Sequence, residues 1–185
     1  MERLVPQATV LLCVDVQEKL AAAMPEGTNA ALTKNAGILL ETAEALGVTV
    51  IATEQYPKGL GKTLPSIASK LGEMGVTPHP KMAFDACSEL TVARALADRA
   101  PRAVVVIGME AHVCVFQTAR ELVKRGYATY VVADAVASRT EENRRLGLGL
   151  CERAGAILTS TEAVAFDLLE HAGTGAFKAV SKLVR

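Results

Sequence analysis

The chain has no excess of charge of either sign, because its 20 lysine and arginine residues balance its 20 aspartate and glutamate residues. It lacks the basic excess of a nucleic-acid-binding protein and the acidic tail that would indicate a strongly charged partner. The formal net charge is +0, so copies of the chain repel one another only weakly, which is compatible with association into oligomers. No apolar run approaches the ~20 residues that a membrane span needs, so we expect no membrane partner.

Targeting, metal and phosphate-binding signals are also missing from the sequence. Residues 1–7 show no basic region followed by a long apolar one, which argues against a secretory signal. The cysteines lack metal-type spacing and are interpreted as free thiols in a reducing compartment, which predicts a cytoplasmic protein. No glycine-rich phosphate-binding motif is present, and we expect no cofactor. The four cysteines are Cys13, Cys87, Cys114 and Cys151.

The chain does have a regular alternation of apolar strands and amphipathic helices. Its 185 residues are 50% hydrophobic, which predicts a single domain spanning residues 1–185. Short connections and right-handed crossovers predict an α/β fold. It is a three-layer α-β-α arrangement around a doubly wound six-stranded parallel sheet, with strand order 3-2-1-4-5-6. Strands are predicted at 8–14, 48–52, 76–81, 104–107, 128–133 and 156–159, and helices at 32–46, 67–74, 90–98, 114–125, 141–154, 161–171 and within 173–185.

The functional hypothesis begins with residues 104–115. A β-branched strand passes through Gly108, where a backbone can turn sharply, and delivers Cys114 to the predicted start of a helix. A thiol there lies at the positive end of the helix dipole, which favours the thiolate. Unpaired N–H groups of the same turn are suited to holding an oxyanion. The alternative is a buried cysteine at a strand-to-helix joint.

Two charged residues also follow predicted strands. Asp15 ends the first strand and Lys81 the third, so both are expected at the same sheet edge as Cys114. There Lys81 would stabilise a thiolate, while Asp15 would accept the thiol proton and return it to a leaving amine. Taken separately, Asp15 is better explained as a helix or turn cap and Lys81 as a solvated surface lysine, and it is their convergence with Cys114 that favours the chemical role.

These segments together resemble the isochorismatase-like cysteine hydrolase family, which includes nicotinamidases and N-carbamoylsarcosine amidohydrolases. The matching segments, in the family's order, are residues 14–17, Lys81 followed by Phe84, residues 108–115 and residues 134–139. Residues 56–61 look closest to the subgroup of isochorismatase domain-containing proteins. The resemblance covers almost the whole chain, and it implies a homo-oligomeric enzyme acting on a small molecule.

The resemblance implies a catalytic triad of Asp15, Lys81 and Cys114. It also implies a cis peptide bond between Met109 and Glu110, with the Glu110 and Cys114 N–H groups forming the oxyanion hole. The implied reaction is hydrolysis of a small amide-type (C–N) or related carbonyl substrate through a thioester. A non-catalytic interaction protein that retains the fold and a thiol redox sensor are the alternative functions.

Loops at the same sheet edge are expected to contact the substrate. For Glu54 and Tyr56 the alternative is an ordinary solvated loop. The side chains of Glu110 and His112 are expected either in the pocket or in sheet packing. The predicted substrate-binding residues are Gln17, Glu54, Tyr56, Phe84 and Val113.

The sequence differs from two groups of enzymes within the family that it resembles. Nicotinamidases hold a metal beside the second strand with Asp and His residues, whereas residues 53–56 contain no His. We therefore predict no metal there and do not expect nicotinamide as the substrate. Isochorismatases proper cleave a vinyl ether without a cysteine nucleophile, so Cys114 favours C–N hydrolysis.

Overall fold

The computed structural model describes residues 3–184, so the parts of the predictions that fall on Met1, Glu2 and Arg185 lie outside it. Within the described range, six strands form one parallel sheet in the predicted order β3-β2-β1-β4-β5-β6, flanked by helices. None of the helices in that range is long and apolar enough to cross a bilayer.

The strands are β1 (Thr9–Val14), β2 (Thr49–Gln55), β3 (His79–Lys81), β4 (Ala103–Met109), β5 (Ala128–Ala137) and β6 (Ile157–Thr159). The helices are α1 (Glu18–Ala22), α2 (Glu26–Leu46), α3 (Pro57–Leu60), α4 (Pro65–Glu73), α5 (Leu90–Arg99), α6 (Phe116–Lys124), α7 (Glu141–Arg153), α8 (Thr161–Leu169) and α9 (Gly175–Val180).

The central strands are buried on both faces because successive side chains point into two separate cores. On one face, Leu11 and Cys13 of β1 belong to a core that includes side chains from α2, α4 and α8. On the other face, Val10, Leu12 and Val14 belong to a core built with α5, α6 and α7. This double burial explains why β1 is a continuous apolar run in the sequence.

Several predicted boundaries differ from the structure. The helix predicted at 32–46 begins earlier in the structure, at Glu26. The helix predicted to start at Cys114 is instead preceded by a π-helical turn, Ala111–Val115, and α6 follows it. We call Ala111–Val115 the Cys114 turn. Cys114 therefore lies inside a wide turn and not at the first residue of a helix.

The strand predicted at 128–133 is longer in the structure, where β5 continues to Ala137. The register of the pairing between β4 and β5 shifts between Val106 and Gly108 of β4. Such an irregularity places more residues on β5 than on the facing part of β4, so the strand continues beyond it. Within this irregular part, Asp134 accepts hydrogen bonds from the Thr161 N–H at 2.8 Å and the Thr161 hydroxyl at 2.9 Å. Asp134 thus fixes the start of α8.

The predicted tail helix is present as α9 and packs on its own domain. Val180 is fully buried and clusters with Ala165 and Leu169 of α8. The Phe177 ring meets the Phe166 ring edge to face, with centroids 6.3 Å apart. The described part of the tail therefore packs against α8.

Gly108 allows β4 to lie unusually close to β1 just before the functional edge. Its φ is +123°, and a Cβ built there would lie 1.9 Å from the carbonyl oxygen of Val14. Only glycine fits this backbone conformation and this approach. The close contact brings the strand that leads to Cys114 beside the residue that precedes Asp15.

Candidate active site

Asp15 and Lys81 form a buried ion pair at the carboxyl edge of the sheet. Asp15 directly follows β1 and Lys81 ends β3. Lys81 Nζ lies 2.8 Å from Asp15 Oδ2, and both side chains are wholly inaccessible to solvent. Lys81 is therefore not a solvated surface lysine, and burial of its charge requires the partners around it.

Strand β2 lies between β1 and β3 and supplies a partner for each charge. The Thr53 hydroxyl donates to Asp15 Oδ1 at 2.7 Å, and Lys81 Nζ donates to Gln55 Oε1 at 2.5 Å. Thr53 and Gln55 are two residues apart and so share one face of the strand. Sequence reasoning assigned neither residue a role in the site, although alternate polar residues at the end of a buried strand are a usable signal.

Main-chain carbonyls complete the surroundings of the Lys81 ammonium. It donates to the carbonyl oxygens of Ala83 and Phe84, each at 3.0 Å. The backbone of Lys81 is also fixed, because its carbonyl accepts the Tyr56 N–H at 2.8 Å. These contacts hold the cation in place away from bulk water.

Cys114 reaches this ion pair from the other side of β1. Its side chain is 5% exposed and interacts with both Asp15 and Lys81. The peptide bond between Met109 and Glu110, just before the Cys114 turn, is cis. The structure therefore brings Asp15, Lys81 and Cys114 together, as the sequence predicted.

The resting thiol is less acidic than the sequence suggested. Burial, together with the nearby Asp15 carboxylate, raises the pKa of Cys114 to about 12, and only Lys81 acts to lower it. Burial also raises the pKa of Asp15, against the opposing effects of Lys81 and Thr53. The expectation that this position favours a resting thiolate is wrong in direction. The site instead holds a neutral thiol beside a carboxylate that is more basic than an exposed aspartate.

The side chains of Glu110 and His112 face the end of β5. Glu110 Oε2 accepts from the Arg139 N–H at 3.0 Å and from Arg139 Nε at 3.1 Å. His112 Nδ1 lies 3.1 Å from the Ser138 hydroxyl oxygen. Both side chains are thus held by polar contacts within the protein. For Glu110, the predicted role in the oxyanion hole therefore rests on its backbone N–H group.

Three of the predicted substrate-binding residues are accessible to a ligand. The side chains of Tyr56 and Phe84 are 47% and 53% exposed, and Val113 is partly buried. Phe84 is tied to the site directly, since its carbonyl oxygen contacts the Lys81 ammonium. These positions stay predictions for substrate contact.

The other two predicted substrate-binding residues are buried and bonded to the protein. Gln17 Nε2 donates to the carbonyl oxygens of Gln55 at 3.0 Å and Gly61 at 2.8 Å, and its Oε1 accepts the Gln55 N–H at 2.7 Å. Glu54 Oε1 accepts the Thr63 N–H at 2.8 Å. Their polar atoms are thus occupied, which favours a role in shaping the loop that follows β2.

The residues beside β2 do not fit a metal of the nicotinamidase type. Among residues 3–184, no group of three or more His, Cys, Asp or Glu side chains is placed to hold an ion. The polar side chains at this position, Thr53 and Gln55, are already bonded to Asp15 and Lys81.

Comparison with known proteins assigns the family. A model of the Isochorismatase domain matches residues 9–163. This chain belongs to the isochorismatase family. It is 37% identical to isochorismatase domain-containing protein 2 of Danio rerio over 182 residues, covering 98% of this chain and 89% of that protein. It is also 36% identical to the secreted isochorismatase effector Isc1 of Phytophthora sojae, covering 99% and 87% of the two chains.

Comparison with solved structures supports the same fold. A Caenorhabditis elegans protein described as MAR1 ribonuclease superposes with a TM-score of 0.91 at 36% identity, covering 99% of this chain and 92% of that one. Two more distant structures share the fold alone. The octameric Escherichia coli hydrolase YcaC has a TM-score of 0.87 at 19% identity, with coverages of 98% and 90%. The pyrazinamidase/nicotinamidase of Streptococcus mutans has a TM-score of 0.71 at 20% identity, with coverages of 82% and 100%.

Proposed function

We propose that this isochorismatase-family chain is a cysteine hydrolase that cleaves the C–N bond of a small amide-type substrate through a thioester. The observation that carries the proposal is the fully buried ion pair between Asp15 and Lys81, 2.8 Å apart, in contact with the Cys114 thiol. Removing two charges from water costs several kcal/mol per ion, so their convergence on a thiol favours a chemical role over a purely structural one.

In the first half of the proposed reaction, Asp15 takes the proton from Cys114 as sulfur attacks the carbonyl carbon. The charge moves from the carboxylate to the sulfur and then to the carbonyl oxygen, while Lys81 stays close enough to balance it. The N–H groups of Glu110 and Cys114 would hold the oxyanion, and each such donor is worth about 2.7–4 kcal/mol in other enzymes. The C–N bond then breaks, and the amine leaves with the proton from Asp15.

In the second half, water cleaves the thioester. Asp15, again ionised, takes one proton from the water as its oxygen attacks the acyl carbon. The C–S bond breaks, the carboxylic acid is released, and the proton held by Asp15 returns to the Cys114 sulfur. The raised pKa of Asp15 supports this role, because a general base is most effective when its pKa lies near the working pH.

Tyr56, Phe84 and Val113 are proposed to line the substrate pocket, with Gln17 and Glu54 supporting the loop beside it. We further propose a homo-oligomer, which the octameric YcaC structure supports by analogy. A cytoplasmic location is supported by the free, buried cysteines, whereas the Phytophthora relative is described as secreted.

The experiment compares Cys114→Ala with Cys87→Ala on a panel of small amides, with RNA included because one similar structure is described as a ribonuclease. Cys87 is a matched control, since it is also buried and its pKa is also raised to about 12. We expect Cys114→Ala to lose at least about 10³-fold in amide turnover while remaining folded, judged from nucleophile removal in other enzymes. Full turnover by folded Cys114→Ala would refute the proposal, as would hydrolysis of RNA but of no amide.

A further inference from the structure

Helix α7 touches the backbone of the Cys114 turn at one glycine. A Cβ built at Gly147 would lie 2.5 Å from the carbonyl carbon of Ala111, 2.5 Å from the His112 nitrogen and 2.7 Å from the Ala111 oxygen. All three are backbone atoms, so no change of side-chain rotamer relieves the overlap. The buried Gly147 therefore sets how closely α7 and the Cys114 turn approach each other.

Helix α7 itself is anchored on both sides of Gly147. One turn before it, Arg144 Nε donates to the carbonyl oxygen of Val136 at 3.1 Å, and the same guanidinium also bonds the carbonyl of Ala133. One turn after it, Cys151 is fully buried in the core. Because these contacts hold the helix against β5, an added methyl group at Gly147 would act mainly on the Cys114 turn.

We propose that Gly147 is a positioning residue, which acts through the backbone of Ala111 and His112 to place the Cys114 sulfur and the oxyanion-hole N–H groups. Its consequence for turnover rests on the function proposed above. A displacement of about 1 Å in a catalytic group costs about 10²-fold in rate in other enzymes, so a small shift of this turn is enough to matter.

Gly149 provides a matched control in the same helix. A Cβ at Gly149 would have no atom within 4 Å, so Gly149→Ala changes helix propensity without touching the turn. We would measure kcat and KM on the best amide of the panel for Gly147→Ala, Gly149→Ala and the parent. The rate constant for iodoacetamide alkylation of Cys114 would be measured by peptide mass spectrometry, together with thermal unfolding.

Gly147→Ala is expected to lower kcat by 10- to 100-fold. KM should change by less than about threefold, because Tyr56 and Phe84 of the proposed pocket lie outside the Cys114 turn and only Val113 lies within it. Its alkylation rate is expected to differ from that of Gly149→Ala by at least threefold, while Gly149→Ala matches the parent. Equal kcat and equal alkylation rates in the folded Gly147→Ala and Gly149→Ala variants would overturn the inference and leave the proposed hydrolase intact. If the parent hydrolyses no amide, the hydrolase proposal fails, and the alkylation rates alone decide the role of Gly147.

If the Gly147→Ala protein does not fold, a second pair of variants provides the test. Arg144→Met loosens α7 from β5, so that the helix can move away from the added methyl group. The double variant Arg144→Met/Gly147→Ala is then compared with Arg144→Met alone. A lower kcat and an altered alkylation rate in the double variant support the positioning role, and identical values refute it.

Discussion

Replacing Asp15 by Asn is expected to separate the reactivity of Cys114 toward an alkylating agent from its catalytic turnover. Asp15 raises the pKa of Cys114 both by its negative charge and by accepting the thiol hydrogen bond, whereas Lys81 lowers it. The neutral amide of Asn has nearly the same shape but removes the charge. In the variant, the thiol thus faces Lys81 without the opposing carboxylate, and its pKa should fall.

The size of the effect follows from the resting pKa. With a pKa of about 12, only ~10⁻⁴ of the Cys114 thiol is ionised at pH 8. Each unit by which the pKa falls raises the thiolate fraction about tenfold but weakens the thiolate as a nucleophile by about threefold. We therefore expect alkylation by iodoacetamide at pH 8 to become at least about threefold faster in Asp15→Asn. Amide turnover should fall by at least about 10²-fold, because the variant lacks the carboxylate that we propose as the general base.

The assay is iodoacetamide labelling followed over pH 6–10, with the modified residue identified by peptide mass spectrometry. Cys13, Cys87 and Cys151 serve as internal controls, since burial raises the pKa of each to about 12 and all three are inaccessible. Thermal unfolding would show whether the Asn variant is folded, because unfolding would expose every thiol alike.

Slower or unchanged alkylation of Cys114 in folded Asp15→Asn would refute this reasoning. It would mean that Asp15 does not hold the thiol in its neutral form. Retained turnover in the same variant would exclude Asp15 as the general base, whatever the alkylation rate.

Two further variants test the ion pair and the helix that packs on the Cys114 turn. Lys81→Met should lower the free energy of unfolding by about 3–5 kcal/mol in urea denaturation, since it leaves the Asp15 carboxylate buried without its counter-charge. Lys81 lowers the pKa of Asp15, so the same variant should move the acid limb of kcat/KM to higher pH, and an unmoved limb would contradict the coupling. Thr140 accepts the Asn143 N–H at the start of α7, and Thr140→Ala should cost about 1 kcal/mol of unfolding free energy, whereas an unchanged value would exclude this cap.

The fold was predictable because strands that are buried on both faces appear in the sequence as continuous apolar runs. The helices alternate with these strands along the chain, and residues that favour helix ends mark where they begin and stop. The continuous apolar runs at β1 and β4 and the Thr140 cap of α7 all have local causes that appear in the sequence. The extension of β5 to Ala137 was not predictable, because it depends on a register shift against Val106 and Gly108 of another strand. The polar residue Asp134 lies within this extension, and its hydrogen-bond partner Thr161 is distant in sequence.

The position of the site was predictable from topology, whereas its electrostatics were not. The parallel sheet brings Asp15, Lys81 and Cys114 to one edge whatever the details of the loops. The direction of the Cys114 pKa depends on burial and on the balance between two opposite charges, which requires coordinates. The same applies to Gln17 and Gly147, whose contacts with backbone atoms carry no signature in the surrounding residues.

The hydrogen bonds from β2 link the Asp15 carboxylate and the Lys81 ammonium to one short stretch of backbone. Thr53 and Gln55 occupy alternate positions, so inserting or deleting a single residue in the strand would turn both side chains toward the opposite helical layer. Asp15 and Lys81 would then lose their neighbours at the same moment. A change in the length of this strand therefore removes both contacts together, whereas a substitution at Thr53 or Gln55 removes one of them.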